Sequence, residues 1–129
     1  MFVASKIGKI QLPKELSKRV TVKNAIGWLP EIKAGQTCKN DLLHTASNLS
    51  YINLERIRAS KPGGHEEIWP ERLLPACYKK ATGKTFSVVY GRIDPNKPAP
   101  TLTTQFNRYG TGRYGHYEQD RALSWERAL

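Results

Sequence analysis

Cysteine is scarce in this sequence of 129 residues, and its placement argues against a metal site. The two cysteines, Cys38 and Cys77, form no C-x-x-C pair, and none of the three histidines stands at zinc-ligand spacing from them. A disulfide between them is possible, but a reducing cytosol disfavours it. We therefore expect no metal, and two small, neutral or buried thiols.

Long apolar runs are also lacking. No stretch approaches the roughly 18 residues that a membrane span requires. Residues 1–10, which read MFVASKIGKI, are too short and too interrupted by lysine to be the core of a secretion signal. With 39% hydrophobic residues and a mean hydropathy of −0.57, the chain suits one ordinary domain or a piece of a larger one. These features predict a cytoplasmic chain with no membrane partner.

Acidic residues are few, so the chain is strongly basic. Eleven Asp and Glu stand against twenty-one Lys and Arg, which gives a net charge of +10 and a pI of about 9.8. Such a surplus suits a polyanion, because each neutralised phosphate releases condensed counterions. Ribosome-associated and membrane-surface proteins show the same balance, so the charge favours nucleic acid without singling it out.

Capping residues and helix breakers predict four short helices. Their predicted starts are Thr21, Ser50, Trp69 with Pro70, and Ser124. In the second helix Leu54 and Ile57 face the core, and Leu49 stands at the position of a hydrophobic staple with Leu54. Residues 61–64, Lys-Pro-Gly-Gly, then end this helix.

The carboxyl-terminal half shows strand patterns instead. Residues 85–90 and 101–106 are rich in β-branched and aromatic side chains, and the proline-rich connection 94–100 lies between them. Residues 40–47 are polar apart from two leucines and are predicted to be a loop. The fold class that follows is α+β, a small mixed domain with short strands, a few helices and long loops.

Several phrases of the sequence resemble those of bacterial DNA cytosine-5 methyltransferases, and they occur in that family's order. The phrases are residues 21–26 with 29–30, 53–58, 61–64, 69–70, 89–92, 98–104, 112–116 and 119–124. One phrase alone would be weak evidence, but so many phrases in the family's order make a chance resemblance improbable. The resemblance covers nearly the whole chain and corresponds to the region between the family's Gln-Arg-x-Arg motif and the motif that ends target recognition.

The resemblance implies three segments and a cytoplasmic location of bacterial type. Residues 1–35 are expected to be a remnant of the edge and hinge of the α/β catalytic domain, 36–120 the target-recognition domain, and 121–129 the start of the conserved helix that follows. After Trp125 the chain reads Glu126-Arg127, the reverse of the family's Arg-Glu. This reversal, and the stop soon after it, favour a truncated or frame-disrupted gene or an engineered fragment over a deliberately short protein.

The family's catalytic motifs do not occur in this sequence. There is no Phe-x-Gly-x-Gly cofactor loop, no Pro-Cys nucleophile pair and no Glu-Asn-Val, and both cysteines follow other residues than proline. Covalent catalysis needs an activated thiolate with a nearby acid, so we predict no catalytic residue and no cofactor in this chain, and no activity alone. In the complete enzyme the cofactor is S-adenosylmethionine. The implied partners are duplex DNA and a separate chain that carries the catalytic domain.

The resemblance also implies which residues contact DNA. Thr101 and Leu102 match the family's Thr-Leu pair, whose threonine steadies a backbone phosphate beside the flipped nucleotide. Glycine-bearing segments 83–87 and 107–113 match the two recognition loops. The predicted contacts are Lys84, Thr85 and Ser87 in the first loop, Arg92, Thr101, Leu102, Thr104 and Gln105 between the loops, and Arg108 and Arg113 in the second.

Each of these residues has a plainer alternative. A single Lys or Arg is as readily a solvated surface charge, Thr101 a strand residue, and Gln105 a surface amide rather than a partner of adenine. We expect Arg121 and Ser124 to be structural, His116 to be a hydrogen-bonding structural residue, and the aromatic residues to pack rather than stack on bases.

The predicted function is the DNA-recognising part of a cytosine-5 methyltransferase of a restriction–modification system. It would bind the major groove of duplex DNA and position a flipped cytosine. The alternatives are a stand-alone basic DNA-binding module and a non-functional gene fragment.

Overall fold

The regular elements of the computed structural model are few and short. It describes residues 6–9, 19–64, 69–76, 78–79 and 89–124. In chain order the elements are helix α1 (Val22–Ile26), strands β1 (Thr37–Cys38) and β2 (Asp41–Thr45), helix α2 (Tyr51–Ala59) and a 3₁₀ helix (Glu71–Leu73). Strands β1 and β2 form an antiparallel pair, with Thr37 opposite Thr45. The described chain is thus a small mixed α+β domain, as predicted.

Helix α1 confirms the start predicted at Thr21. The hydroxyl oxygen of Thr21 accepts a hydrogen bond from the backbone N–H of Asn24 at 3.3 Å, and Gly27 closes the helix. The N–H groups of Val22 and Lys23, which have no partner within a helix, donate to carbonyls of the proline-rich connection at 2.9 and 3.0 Å. The connection therefore completes the hydrogen bonding of α1 and is held beside it.

Helix α2 confirms the prediction of a helix after Ser50. Ser50 occupies the N-cap position, although its side chain makes no capping hydrogen bond. Ile57 is fully buried, and Leu49 and Leu54 pack against the same cluster, as the staple pattern predicted. The 3₁₀ helix after Pro70 confirms the short helical stretch expected there.

The loop predicted at residues 40–47 is wrong, because most of it forms strand β2. Leu42 and Leu43, the only strongly apolar residues of the segment, are 80% and 68% exposed, whereas the polar His44 is fully buried. The ring of His44 bonds with the carbonyl oxygen of Pro30 and the hydroxyl of Ser124, both at 2.9 Å. A polar residue thus anchors strand β2. The alternation of apolar and polar residues from which strands are usually predicted is therefore missing from this segment.

The strand predicted at residues 101–106 is also wrong. Residues 104–107 form turns, with the N–H of Phe106 donating to the carbonyl oxygen of Thr103 at 3.1 Å. Two prolines just before this segment lack the N–H that a strand ladder needs. Of the strand predicted at 85–90, residues 85–88 lie outside the described residues, and Tyr90 has a φ of 60°, which no strand residue adopts. The helix predicted after Ser124 lies outside the described residues as well.

The core joins distant parts of the chain. Its largest cluster consists of Val22, Ile93, Phe106, Tyr114, Tyr117 and Leu123. This cluster draws on residues from all three segments that the sequence predicts. A second cluster, formed by Ile32, Cys38 and Ala46, lies beside the pair of strands β1 and β2, and Cys38 is a free and buried thiol. Within the described parts of the chain, no helix has the length and apolarity to cross a membrane.

Candidate nucleic-acid interface

Six of the predicted DNA contacts lie in residues 101–113, which we call the polar segment. Its turns are closed by short-range bonds, such as that from the N–H of Arg108 to the carbonyl oxygen of Gln105 at 2.9 Å. The buried ring of Phe106 anchors these turns to the core, and Leu102 packs beside it. The exposed predicted contacts of the segment are Thr101, Thr104, Gln105 and Arg108. The fold therefore presents hydroxyl, amide and guanidinium groups to solvent from one anchored segment.

Tyr114 holds the start of this segment, a role that the sequence reasoning missed. Its ring is buried in the core, and its hydroxyl donates to the carbonyl oxygen of Thr101 at 3.2 Å. The same hydroxyl lies 3.3 Å from the hydroxyl of Thr103. Tyr114 stands within the phrase 112–116, and that phrase was the available signal. Thr101 is consequently exposed on a backbone that the core fixes in place.

A cleft of about 530 Å³ opens beside Thr101, between the proline-rich connection and residues 111–114. Lys97 and Arg113 stand on its walls with Thr101. Lys97 forms an ion pair of 3.1 Å with Asp94, whose pKa is lowered by a hydrogen bond from the backbone N–H of Asn96 and by Lys97. The Nε of Arg113 is buried without a hydrogen-bond partner among the described residues. The wall of the cleft thus carries the cationic side chains of Lys97 and Arg113.

Arg92 also lines this cleft, but it is only 5% exposed. It donates to the backbone carbonyls of Ile57, Ser60, His116 and Gln119 and to the carboxylate of Asp120. The four carbonyl bonds measure 2.8 to 3.1 Å. The guanidinium of Arg92 thus joins the end of α2 to residues 116–120 and is occupied within the protein.

Arg121 and Ser124 are also buried. The guanidinium of Arg121 donates to the side-chain oxygen of Gln119 at 2.6 Å and to the carbonyl oxygen of Ala122 at 3.1 Å. That Gln119 oxygen lies 3.4 Å from the N–H of Ile32, and Ser124 bonds with the buried His44. Both residues therefore contact the interior of the fold, where they line a pocket with Leu102 and Phe106, the inward-facing residues of the polar segment.

His116 accepts two backbone hydrogen bonds at its Nδ1, from the N–H groups of Glu118 and Gln119 at 3.1 and 3.0 Å. Burial, together with the charges of Arg121 and Arg92, lowers the pKa of His116 from 6.5 to about 3. The imidazole is therefore neutral at physiological pH and acts as a hydrogen-bond acceptor that shapes the turn after it.

The candidate contacts of the first predicted recognition loop, Lys84, Thr85 and Ser87, lie outside the described residues. Of the predicted contacts that are described, the structure brings Thr101 and Arg113 together at the cleft, and it places Thr104, Gln105 and Arg108 on the adjoining turns.

The sequence is similar to parts of two type II methyltransferases. It is 49% identical over 108 residues, 84% of this chain, to the type II methylase M.HgiDII of Herpetosiphon aurantiacus. It is 34% identical over 77 residues, 60% of this chain, to the type II methyltransferase M1.BsuMI of Bacillus subtilis. The matches cover 30% and 18% of these relatives, so the chain spans less than a third of their length.

No protein-family model matches the chain, and no solved structure matches it. What the comparisons show is that the chain is similar to one part of each of these two type II methyltransferases.

Proposed function

We propose that this chain is the DNA-recognising part of a DNA cytosine-5 methyltransferase of a restriction–modification system. It binds duplex DNA in the major groove and positions a flipped cytosine, while a separate catalytic domain supplies the nucleophile and binds S-adenosylmethionine. The observation that carries the proposal is the 49% identity to a type II methylase over 84% of this chain. The lack of a Pro-Cys pair and of a cofactor loop in the sequence supports the assignment to recognition rather than catalysis.

The surface of the described residues supports DNA as the ligand. The net charge of +10 favours a polyanion, and the polar segment presents its donors from an anchored backbone. In the proposal Thr101 and Arg113 bind a DNA phosphate at the cleft. Gln105 and Arg108 face the major groove of the DNA, and Leu102 and Thr104 lie beside them. The contacts proposed in the first loop are Lys84, Thr85 and Ser87. Arg92 is proposed to brace the fold, because its donors are already used.

A methyl-transfer assay tests the proposal. The chain is incubated with labelled S-adenosylmethionine and mixed-sequence duplex DNA, first alone and then with the remaining part of M.HgiDII as a separate chain. We expect transfer only in the mixture, and salt-sensitive DNA binding by the chain alone. Transfer by the chain alone would contradict a pure recognition role. Binding without transfer in the mixture would favour a stand-alone DNA-binding module, and the absence of both would favour a fragment without function.

Replacing Arg113 with methionine is expected to weaken DNA binding and leave the fold intact. One fewer cation at a phosphate should lower the slope of log K against log salt by about 0.9. The stability should stay the same or rise slightly, because the buried Nε without an acceptor is removed. Filter binding of a mixed-sequence duplex at several salt concentrations measures the slope, and urea unfolding measures the stability.

Lys33→Met is the matched control for Arg113→Met. Lys33 is exposed and lies far along the chain from the polar segment, and its loss changes the net charge by the same amount. We expect its salt slope to stay close to that of the unchanged protein. Equal slopes for the two variants would show that only the net charge matters, and would remove Arg113 from the proposed contacts.

A further inference from the structure

Three aromatic rings pack together at the second predicted recognition loop, to which one of them, Tyr109, belongs. We call Trp69, Tyr90 and Tyr109 the aromatic cluster. The ring of Tyr90 meets Trp69 edge to face at 5.9 Å and Tyr109 at 5.5 Å. The guanidinium of Arg56 lies 5.1 Å from the centre of the Tyr90 ring and 5.8 Å from that of Trp69. Tyr90 is therefore contacted on several sides, in the edge-to-face and cation–π arrangements that aromatic rings favour.

The aromatic cluster is fixed to helix α2. The indole N–H of Trp69 donates to the hydroxyl of Ser60 at 2.9 Å, and that hydroxyl donates to the carbonyl oxygen of Arg56 at 2.9 Å. The phenol oxygen of Tyr109 lies 3.5 Å from the same hydroxyl, and burial raises the pKa of Tyr109 to about 12. Arg56 donates in turn to the carbonyl oxygen of Leu73 at 2.8 Å. Two helical elements thus support the rings.

Tyr90 adopts a backbone conformation that its side chain disfavours. Its φ is 60°, and among the described residues it is the only non-glycine residue with a positive φ. A bulky residue in the left-handed region is an outlier that persists only where the surroundings determine it. The contacts of the ring are the surroundings that hold Tyr90 in this conformation.

The second loop lies directly on this ring. Gly110 has a φ of +118°, and a Cβ built there would stand 2.8 Å from Cε1 of Tyr90. No real Cβ approaches a carbon so closely, so the contact requires glycine. Because Tyr109, the preceding residue, belongs to the aromatic cluster, Tyr90 contacts two successive residues of the loop.

On the basis of the proposed function, we propose that Tyr90 is a positioning residue for DNA-sequence recognition. Its ring fixes the backbone of residues 109–110, and thereby the place from which the second loop reaches the bases. Tyr90 itself does not touch DNA in this proposal. Loss of the ring should therefore reduce discrimination between sequences and leave the phosphate contacts, which supply most of the non-specific affinity, in place.

The test uses the full chain and a pool of duplexes with a randomised central segment. Duplexes retained by the protein are sequenced after several rounds, and binding to the starting pool is measured against salt. Tyr90→Gly removes the ring and accepts the positive φ without strain, whereas Tyr90→Phe keeps the ring. We expect the unchanged protein and Tyr90→Phe to enrich the same motif. For Tyr90→Gly we expect at least a tenfold lower enrichment, with an unchanged salt slope.

The outcomes separate this inference from the proposed function. Enrichment of the same motif to the same extent by Tyr90→Gly would overturn the positioning role while the proposed function stands. No duplex retained by the unchanged protein, or retention without any motif, would overturn sequence recognition itself and this inference with it. A parallel fall in enrichment and salt slope would overturn the inference too, since it would place Tyr90 among the phosphate contacts or show a general loss of the fold.

A second variant disturbs the contact from the other side. Gly110→Ala places a Cβ against the Tyr90 ring and should also lower the enrichment. In the Tyr90→Gly background the ring is absent, so the further effect of Gly110→Ala should be smaller than in the unchanged protein. Independent, multiplicative effects of the two changes would contradict a shared contact, because uncoupled sites add in free energy.

Discussion

Replacing Arg92 with methionine is expected to lower the free energy of unfolding by about 3–5 kcal/mol, because each buried carbonyl group that loses its donor costs about 1–3 kcal/mol. The change leaves three buried carbonyl groups and one partly buried carbonyl group without the guanidinium donor they now have, and leaves the carboxylate of Asp120 paired with the exposed Arg58 at 3.2 Å. The total free energy of unfolding of a native protein is only about 5–15 kcal/mol. Urea unfolding followed by circular dichroism should therefore show a large shift or a chain already partly unfolded in water.

Arg108→Met is the matched control, since it removes the same charge from an exposed side chain of the polar segment. Its free energy of unfolding should change by less than about 0.5 kcal/mol, as is usual for surface substitutions. If Arg92→Met proved as stable as Arg108→Met and instead lost DNA affinity, Arg92 would be a DNA contact and not a brace. The free energy of unfolding of Arg92→Lys should lie between those of Arg92→Met and the unchanged protein. Lysine keeps the charge, but its ammonium group cannot reproduce the planar set of donors of a guanidinium.

The helices were predictable because their signals are local. A capping threonine, a serine after Leu49 and a Trp-Pro step each act within one turn of the chain, and α1, α2 and the 3₁₀ helix begin where these residues stand. Strand β2 has no such local signal. The residue that anchors β2 is His44, whose hydrogen-bond partners lie 14 and 80 residues away along the chain. The two leucines of β2 face outward. Only the tertiary structure reveals that arrangement.

The sequence singled out the residues of the candidate interface, but it could not tell which of the cations are exposed and which are buried. The phrases of the sequence located the polar segment, and the structure presents Thr104, Gln105 and Arg108 on its exposed turns. Arg92 carries the same charge as Arg108, so nothing in the residue type distinguishes them. What distinguishes them is a set of carbonyl groups from separate parts of the chain, which converge only after folding. A cation in a matching phrase is thus weaker evidence for a phosphate contact than a cation shown to be exposed.

The core and the polar segment are closely joined in this fold. Tyr114 belongs to the largest core cluster and also fixes the backbone of Thr101, and Tyr109 belongs both to the core and to the second predicted loop. The described elements contain few helical and strand residues, so buried side chains rather than a regular ladder hold the polar segment in place.

Acid is expected to destabilise this fold through His116. The pKa of His116 in the folded chain is about 3, below the ordinary 6.5, because of burial and the neighbouring Arg121 and Arg92. The unfolded chain therefore binds the proton more tightly. The stabilisation is fully present above about pH 6.5 and is lost progressively as the pH falls towards 3. At about 1.4 kcal/mol per pH unit, the loss between pH 7 and pH 5 should approach roughly 2 kcal/mol.

His116→Asn isolates this contribution from that of the carboxylates. The side-chain oxygen of asparagine can accept the N–H groups of Glu118 and Gln119 as Nδ1 does now, and it has no proton to gain. Urea unfolding at pH 7 and pH 5 gives the difference in stability for each protein. We expect the unchanged protein to lose about 2 kcal/mol more than the variant over this interval. Equal losses would mean that His116 takes up its proton as readily in the folded chain as in the unfolded one.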